Sequence, residues 1–313
     1  MLGGKFVYDD DKDLCNTMYD LFDKLPAYSS LKTIIIDIDV PEIPEPKPGY
    51  GKIRVFCSWD TEYVDHWIAA RFYQESPNGD LHTPQRDAVF CDMENVGTRR
   101  ERWTGHPGTI QLGTRELTPE APFECLIVQV CKMHTMPSTL SRLLADVRIS
   151  KVWHGFAEDI ENMRTLGLEL RGCLKINNLS RRLLELQRDH DNHLQKPPLG
   201  HLLKLYLNLD RDTANYPEHH WDETILHPWK VRYGAYDTWA IHELMRNLIV
   251  RFYCELGKEE GKKEVVKVVG RNLEAFEIGG IKKVAWGGGM YISIFFLPVV
   301  NHCMGWKGRH DER

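Results

Sequence analysis

Acidic and phenolic side chains at recognisable spacings are the candidates for chemistry in this sequence. Asp92 and Glu94 form a D-x-E pair directly after the apolar run 88–91, which predicts a strand. Because side chains alternate along a strand, residues i and i+2 share a face, and both carboxylates can reach one divalent cation. Taken alone, such a pair is much more often an ordinary polar strand edge.

Later elements supply further carboxylates. Asp159 follows a predicted strand with a His-Gly turn, 151–155, and falls near the first turn of a predicted helix. Tyr233 and Asp237 are four residues apart on another predicted helix, so they project from one face about a turn apart. Each also has an ordinary explanation, because acids favour helix N-termini and Tyr/Asp surface pairs are common.

The segments that must position these residues alternate between strands and helices. We predict strands at 53–57, 88–91, 109–113, 124–130, 151–154 and 175–178, with a further strand of uncertain partnership at 33–40. We predict helices at 62–72, 137–145, 157–166, 180–187, 198–207 and 229–253. Strand–helix alternation of this kind predicts an α/β sheet with helices on its faces.

The order and spacing of these elements resemble the three motifs of the DnaQ-like 3′–5′ exonuclease superfamily, in its tyrosine-bearing (DEDDy) branch. Within that branch the chain is similar to the Werner-syndrome-type exonucleases, and most to their small stand-alone plant forms. The resemblance spans about residues 53–250, and supporting segments besides the D-x-E and Y-x-x-x-D motifs are VDHWIAARF (64–72), TIQL (109–112) and CLIVQ (125–129).

The resemblance implies an α/β, RNase H-like mixed five-stranded sheet flanked by helices, and a metal-dependent 3′–5′ exonuclease that releases 5′-monophosphates. It implies two Mg²⁺ or Mn²⁺ ions held by Asp92, Glu94, Asp159 and Asp237. Hard divalent ions prefer oxygen ligands, and two ions can activate water and stabilise the leaving 3′ oxygen. Tyr233 would orient the water, since a tyrosine of pKa about 10 is a poor general base.

The sequence departs from the family beside the first motif. Asn95 stands where members often carry an aromatic residue, and a polar insertion from Gly97 to Pro107 follows it. Amides at 177 and 178 stand where an aspartate is expected. Basic side chains of the insertion could contact substrate phosphates, although a solvated loop is equally consistent; these are Arg99, Arg100 and Arg102.

Composition narrows the class of protein. The 313 residues are 42% hydrophobic and 27% charged, which excludes a wholly disordered or collagen-like chain. The net charge of −5 argues against coating nucleic acid by bulk charge, but not against gripping a few phosphates through metal ions. The eight cysteines form no C-x-x-C pair, and the acidic start does not fit a secretory signal. We therefore expect an intracellular protein, nuclear or cytoplasmic.

We expect three regions: a leader with a proline-rich linker at 1–50, the exonuclease domain at 51–255, and a charged then apolar tail at 256–313. The apolar run 286–300 is shorter than the ~20 residues of a bilayer span, so no membrane partner is expected. The expected partner is a DNA or RNA 3′ end. Two alternatives stay open: a non-catalytic nucleic-acid-binding or interaction scaffold of this fold, and an RNA-specific exonuclease.

Overall fold

The computed structural model describes residues 33–39, 52–75, 81–96, 106–115, 121–155, 157–187, 197–209, 221–223, 226–257, 260–261, 263–265 and 267. Its strands are β1 (Thr33–Asp39), β2 (Lys52–Ser58), β3 (Tyr73–Glu75), β4 (Leu81–Pro84), β5 (Ala88–Asn95), β6 (Pro107–Arg115), β7 (Phe123–Val128), β8 (Ser150–Trp153) and β9 (Cys173–Lys175). Its helices are α1 (Thr61–Phe72), α2 (Ser138–Ala145), α3 (Ala157–Thr165), α4 (Ile176–Gln187), α5 (Leu199–Leu207) and α6 (Pro228–Leu256).

The main sheet has the strand order β1-β2-β7-β6-β5-β8-β9. Strands β5, β6 and β7 are antiparallel neighbours, whereas β8 lies parallel to β5 and β9 parallel to β8. These five strands form the expected mixed sheet, and the α/β, RNase H-like fold class is confirmed. The pair β3–β4 forms a small separate sheet.

The sheet has seven strands rather than the predicted five. Strand β2 joins the edge of the sheet parallel to β7, and β1 pairs antiparallel with β2. Both segments were predicted as strands, but an apolar pattern does not state which strand is the neighbour. Long-range pairing decides that, so the count could not be read from local sequence.

The predicted strand at 175–178 is wrong in its bounds. Strand β9 ends at Lys175, and the following residues already form the first turn of α4. Ile176, Leu179 and Leu183 are buried at helical spacing, so the apolar stripe of the helix extends back to Ile176. The other predicted helices agree with the structure to within a few residues at each end.

A helical layer covers each face of the sheet. On the first, helices α1 and α2 pack their apolar stripes against the odd-numbered side chains of β5, such as Val89 and Cys91. On the second, α4, α5 and α6 pack against the even-numbered side chains, such as Phe90. We call these the α1 face and the α6 face. Strand alternation places Asp92 and Glu94 on the α6 face.

Residues outside the two ends of the expected exonuclease domain also contact it. Ile36 and Ile38 of β1 are buried in the core of the α6 face, as is Val265 beyond α6. The Nε atom of Arg182 on α4 lies 2.6 Å from a carboxylate oxygen of Glu264. The remaining leader, the proline-rich segment and the run 286–300 lie outside the described residues. Among the helices that the structure describes, none has the length and apolarity needed to cross a membrane.

Candidate active site

The end of β5 positions the first two candidate ligands. Strand β5 is central, between β6 and β8, and its first four residues are buried. Asp92 and Glu94 follow and are half-buried, while Met93 between them is buried in the core of the α1 face. The strand therefore presents both carboxylates side by side at the point where it leaves the core.

Helix α6 brings a third carboxylate to the same place. The helix begins at Pro228, where a fixed φ suits the first turn, and packs across β5, β6 and β7. Asp237 is only 3% exposed. One ligand atom from each of Asp92, Glu94 and Asp237 lies within 4.8 Å of the other two. Three of the four predicted ligands thus converge.

The donor set of this group fits a divalent cation. All three ligand atoms are carboxylate oxygens, the hard donors that Mg²⁺ and Mn²⁺ prefer. At separations of at most 4.8 Å, small side-chain rotations let one ion contact all three. Three carboxylates this close would also repel each other strongly without a compensating positive charge. A cation therefore explains why the fold brings them together.

The fourth predicted ligand, Asp159, lies on a neighbouring element. It is half-buried in the first turn of α3, which follows β8, and β8 pairs directly with β5. Among the described residues, the group with ligand atoms within 4.8 Å of one another does not include it. The structure therefore places Asp159 on the helix beside the cluster rather than within it.

Tyr233 stands one turn before Asp237 on α6 and is half-buried. Its ring centroid lies 6.1 Å from that of Trp221, which is 2% exposed. Trp221 in turn covers Gly108 so closely that a Cβ there would lie 2.6 Å from the Cβ of Trp221. A glycine at position 108 is thus needed for the tryptophan to sit against the tyrosine.

Glu223, in the short segment that carries Trp221, contacts residues of two other parts of the fold. Nε2 of Gln129 donates to the carbonyl oxygen of Glu223 at 3.1 Å. The buried ammonium of Lys230, in the first turn of α6, lies 2.8 Å from a carboxylate oxygen of Glu223. These contacts fix the entry to α6, and with it the direction in which Tyr233 projects.

Sequence reasoning assigned no role to a polar pair beneath α6. Gln111 and Thr109 are fully buried on β6, directly opposite Asp92 and Glu94 in the register, and Nε2 of Gln111 donates to Oγ1 of Thr109 at 2.7 Å. A Cβ on Gly234 would lie 3.0 Å from Gln111. Two polar residues at i and i+2 in an otherwise apolar strand were the available signal.

Two buried thiols, Cys57 on β2 and Cys125 on β7, are not nucleophiles. Burial raises the pKa of Cys57 and of Cys125 to about 12. The hydroxyl of Thr238, next to Asp237, donates to the Cys125 sulfur at 3.4 Å. Both thiols therefore stay protonated at neutral pH. The basic residues predicted to contact substrate lie outside the described residues; these are Arg99, Arg100 and Arg102.

The chain thus combines an RNase H-like sheet with a carboxylate cluster at the end of β5. The sequence itself matches the 3′–5′ exonuclease family over residues 78–251, more than half of the chain. The chain belongs to this family.

The chain is similar to several solved structures at low sequence identity. Trypanosoma brucei RNase D is 16% identical, with a TM-score of 0.52 over 78% of this chain and 81% of that chain. Brucella melitensis NrnC is 17% identical, with a TM-score of 0.43 over 65% of this chain and 92% of that chain. Escherichia coli RNase D is 18% identical, with a TM-score of 0.44 over 68% and 48%. A search of curated proteins found no match to the sequence.

Proposed function

We propose that the protein is a metal-dependent exonuclease that hydrolyses phosphodiester bonds at nucleic-acid 3′ ends and releases 5′-monophosphates. The observation that carries the proposal is the convergence of Asp92, Glu94 and Asp237 within 4.8 Å in a chain of the 3′–5′ exonuclease family. The non-catalytic alternative would be marked by loss of these carboxylates, and all of them are present.

Each side chain has a role in this proposal. Asp92, Glu94 and Asp237 would hold a first Mg²⁺ or Mn²⁺ ion, and Asp159 on α3 would help to hold a second. Bound divalent ions supply Lewis acidity to the phosphodiester and lower the pKa of a water nucleophile. Tyr233 lies one turn before Asp237 and packs against Trp221, and it would orient that water. The burial of Asp237 strengthens these electrostatic interactions, because the local dielectric constant is low.

The finer placement within the family is also a proposal. The D-x-E on a strand and the Y-x-x-x-D on α6 support the tyrosine-bearing branch. The segments VDHWIAARF (64–72), TIQL (109–112) and CLIVQ (125–129) support a Werner-syndrome-type exonuclease of the stand-alone plant form within it, and we expect it to work in the nucleus or the cytoplasm. Replacing the tyrosine tests this branch, because only an enzyme that uses the phenol should respond. Tyr233→Phe should lower kcat with little change in oligonucleotide affinity, and an unchanged kcat would remove the assigned role.

The decisive experiment compares matched oligonucleotides, DNA and RNA, single-stranded and with recessed 3′ ends, each labelled at the 5′ end. Purified protein in Mg²⁺ or Mn²⁺ should produce a ladder that shortens from the 3′ end, whereas EDTA and the Asp92→Asn variant should give none. Oligonucleotide binding without cleavage in either metal would favour the scaffold alternative. Cleavage of RNA alone would identify an RNA-specific exonuclease that reads the 2′-hydroxyl.

A further inference from the structure

A side-chain hydrogen bond joins the two elements that carry the separated candidate ligands. Nδ2 of Asn162 on α3 donates to Oδ1 of Asn95 at the end of β5, at 3.0 Å. Asn95 directly follows Glu94, and Asn162 lies three residues after Asp159, about one turn along the helix. The bond therefore links the strand of the D-x-E pair to the helix of Asp159.

The strand end needs such a link because its ladder is irregular there. The register with β6 shifts between Glu94 and Asn95, so that Asn95 lies opposite Pro107. Proline has no backbone N–H to donate, and a bulge locally disrupts the ladder. Pairing resumes at the next residue, where the backbone N–H of Val96 donates to the carbonyl oxygen of His106 at 2.8 Å, so the irregularity is confined to Asn95. A side-chain bond to α3 supplies an additional anchor.

The helix needs the link as much as the strand does. Helix α3 has nine residues, a length at which a helix in water is not stable by itself. Met163 fixes it on the core of the α1 face with a fully buried side chain. Asn162, 7% exposed, is the point at which it is bonded to β5. Breaking that bond would leave a buried amide unsatisfied, which costs about 1–3 kcal/mol.

We propose that the bond between Asn95 and Asn162, here called the amide bridge, sets the distance between Asp159 and the Asp92–Glu94–Asp237 group. It thereby sets the affinity of the site for a second metal ion. Both asparagines are positioning residues in this account, and the proposal rests on the proposed function. It gives a reason for an amide directly after the D-x-E pair, where an aromatic side chain could not accept this hydrogen bond.

The variants that test the amide bridge differ in whether a bond can form. Asn162→Leu and Asn95→Leu are close in size to the natural side chain and remove the bond. Asn162→Asp keeps it, because the Asn95 amide can turn and donate to the new carboxylate. Asn247→Leu is the matched control. Asn247 lies on α6, away from the site, and its side chain accepts a hydrogen bond from Nε of Arg251 at 2.7 Å.

The primary measurement is Mn²⁺ binding, followed through the electron paramagnetic resonance signal of the unbound ion and independent of activity. Wild-type protein should bind two ions. Both leucine variants at the bridge should keep the first ion and lose about 10-fold or more in affinity for the second, the range typical of groups that orient metal ligands. Their kcat should fall at low Mn²⁺ and recover at high Mn²⁺, with an unchanged KM for oligonucleotide.

The outcomes are distinct. Asn247→Leu should bind Mn²⁺ as the wild type does, and Asn162→Asp should bind both ions at least as tightly, since it keeps the bond and adds a negative charge beside the site. Wild-type affinity for both ions in a folded Asn162→Leu or Asn95→Leu variant would overturn the proposal, as would an equal loss in Asn247→Leu. If Asn162→Leu does not fold, the more exposed Asn95→Leu carries the same test. A wild-type protein that binds no Mn²⁺ would overturn the proposed function, and the amide bridge with it.

Discussion

The two faces of the central sheet are built from different kinds of residues. On the α1 face, α1 and α2 bury a nearly continuous apolar layer that includes Trp67, Leu143 and Leu144. On the α6 face, the helix that covers the sheet buries polar and charged side chains among apolar ones, among them Asp237, Thr238, His242 and Glu243. Both faces bury an apolar core, and the α6 face also buries polar groups and carries the candidate carboxylates.

Buried polar groups of the α6 face contact one another and the core. His242 packs edge-on against Phe90 with ring centroids 4.8 Å apart, and its Nδ1 lies 3.0 Å from a carboxylate oxygen of Glu243. Burial lowers the pKa of His242. Although burial opposes it, the bond from His242 and the nearby Arg246 lower the pKa of Glu243. At neutral pH the pair is a neutral imidazole beside a carboxylate.

The largest expected contrast between the faces comes from two aspartates. Asp237→Asn should lower kcat by about 10³-fold, since several kcal/mol of metal-assisted stabilisation is lost, and leave the fold intact. Asp65→Asn on the α1 side is the control, because Asp65 accepts hydrogen bonds from Thr139 at the start of α2. Asp65→Asn should lower the melting temperature, measured by thermal melts, and leave kcat on 5′-labelled oligonucleotides unchanged. Equal kcat in the two variants would contradict the division of labour.

The α1 face should respond to truncation in stability alone. Leu143→Ala removes a fully buried side chain and should cost about 2–5 kcal/mol of unfolding free energy. The turnover of the molecules that remain folded should equal that of the wild type. Urea unfolding curves and kcat at a temperature below the transition measure both. A lower kcat per folded molecule than in the wild type would show that the faces are coupled.

A smaller effect is expected from the pH dependence of stability on the α6 face. The pKa of His242 is lowered in the folded state from the ordinary histidine value of 6.5. Below pH 6.5 the unfolded chain therefore binds more protons than the folded chain, and the free energy of unfolding falls as the pH drops through that range. The lowered pKa of Glu243 adds a loss below its ordinary value of 4.5. His242→Gln should flatten the fall in unfolding free energy between pH 7 and pH 5. The exposed His134→Gln should leave it unchanged; a steep fall in both variants would exclude His242 as its source.

The smallest effect is expected from Lys151, a buried lysine of the α1 face. Lys151 is fully buried on β8, its Nζ donates to the carbonyl of Asp146, and burial lowers its pKa to about 8. The unfolded lysine holds its proton up to about 10.5, so this group adds stability as pH rises from about 8 towards that value. Lys151→Met should match or exceed the wild type in urea unfolding at pH 7 and lose that advantage by pH 10. A constant difference would show that Lys151 does not titrate.

Sequence predicted the parts of the site that follow from spacing along one element. The D-x-E pair on β5 and the Tyr233–Asp237 pair on α6 each lie within a single strand or helix, whose periodicity fixes their common face. All seven strands of the main sheet were predicted as segments. The resemblance of their order and motifs to the DnaQ-like exonucleases then implied the fold and the class of enzyme.

Sequence did not predict the contacts that join distant elements. Trp221 against Tyr233, and Asn95 against Asn162, depend on register and on the approach of helices to the sheet, which no local pattern encodes. The place of β1 and β2 at the sheet edge was missed for the same reason. The boundary between β9 and α4 was misplaced because Ile176 fits both a strand end and a helical stripe.

The outermost strand of the described sheet also bears on how the protein stays soluble. β1 shields the edge of β2, and it carries Asp37, which accepts a hydrogen bond from Nε of Arg54 at 2.9 Å. Charged side chains on an outer strand discourage a second chain from adding to the sheet. A shortened form beginning after residue 51 would leave the backbone N–H and C=O groups along one edge of β2, which contains Ile53 and Val55, without a neighbouring strand. Such a form should self-associate although every candidate ligand is still present.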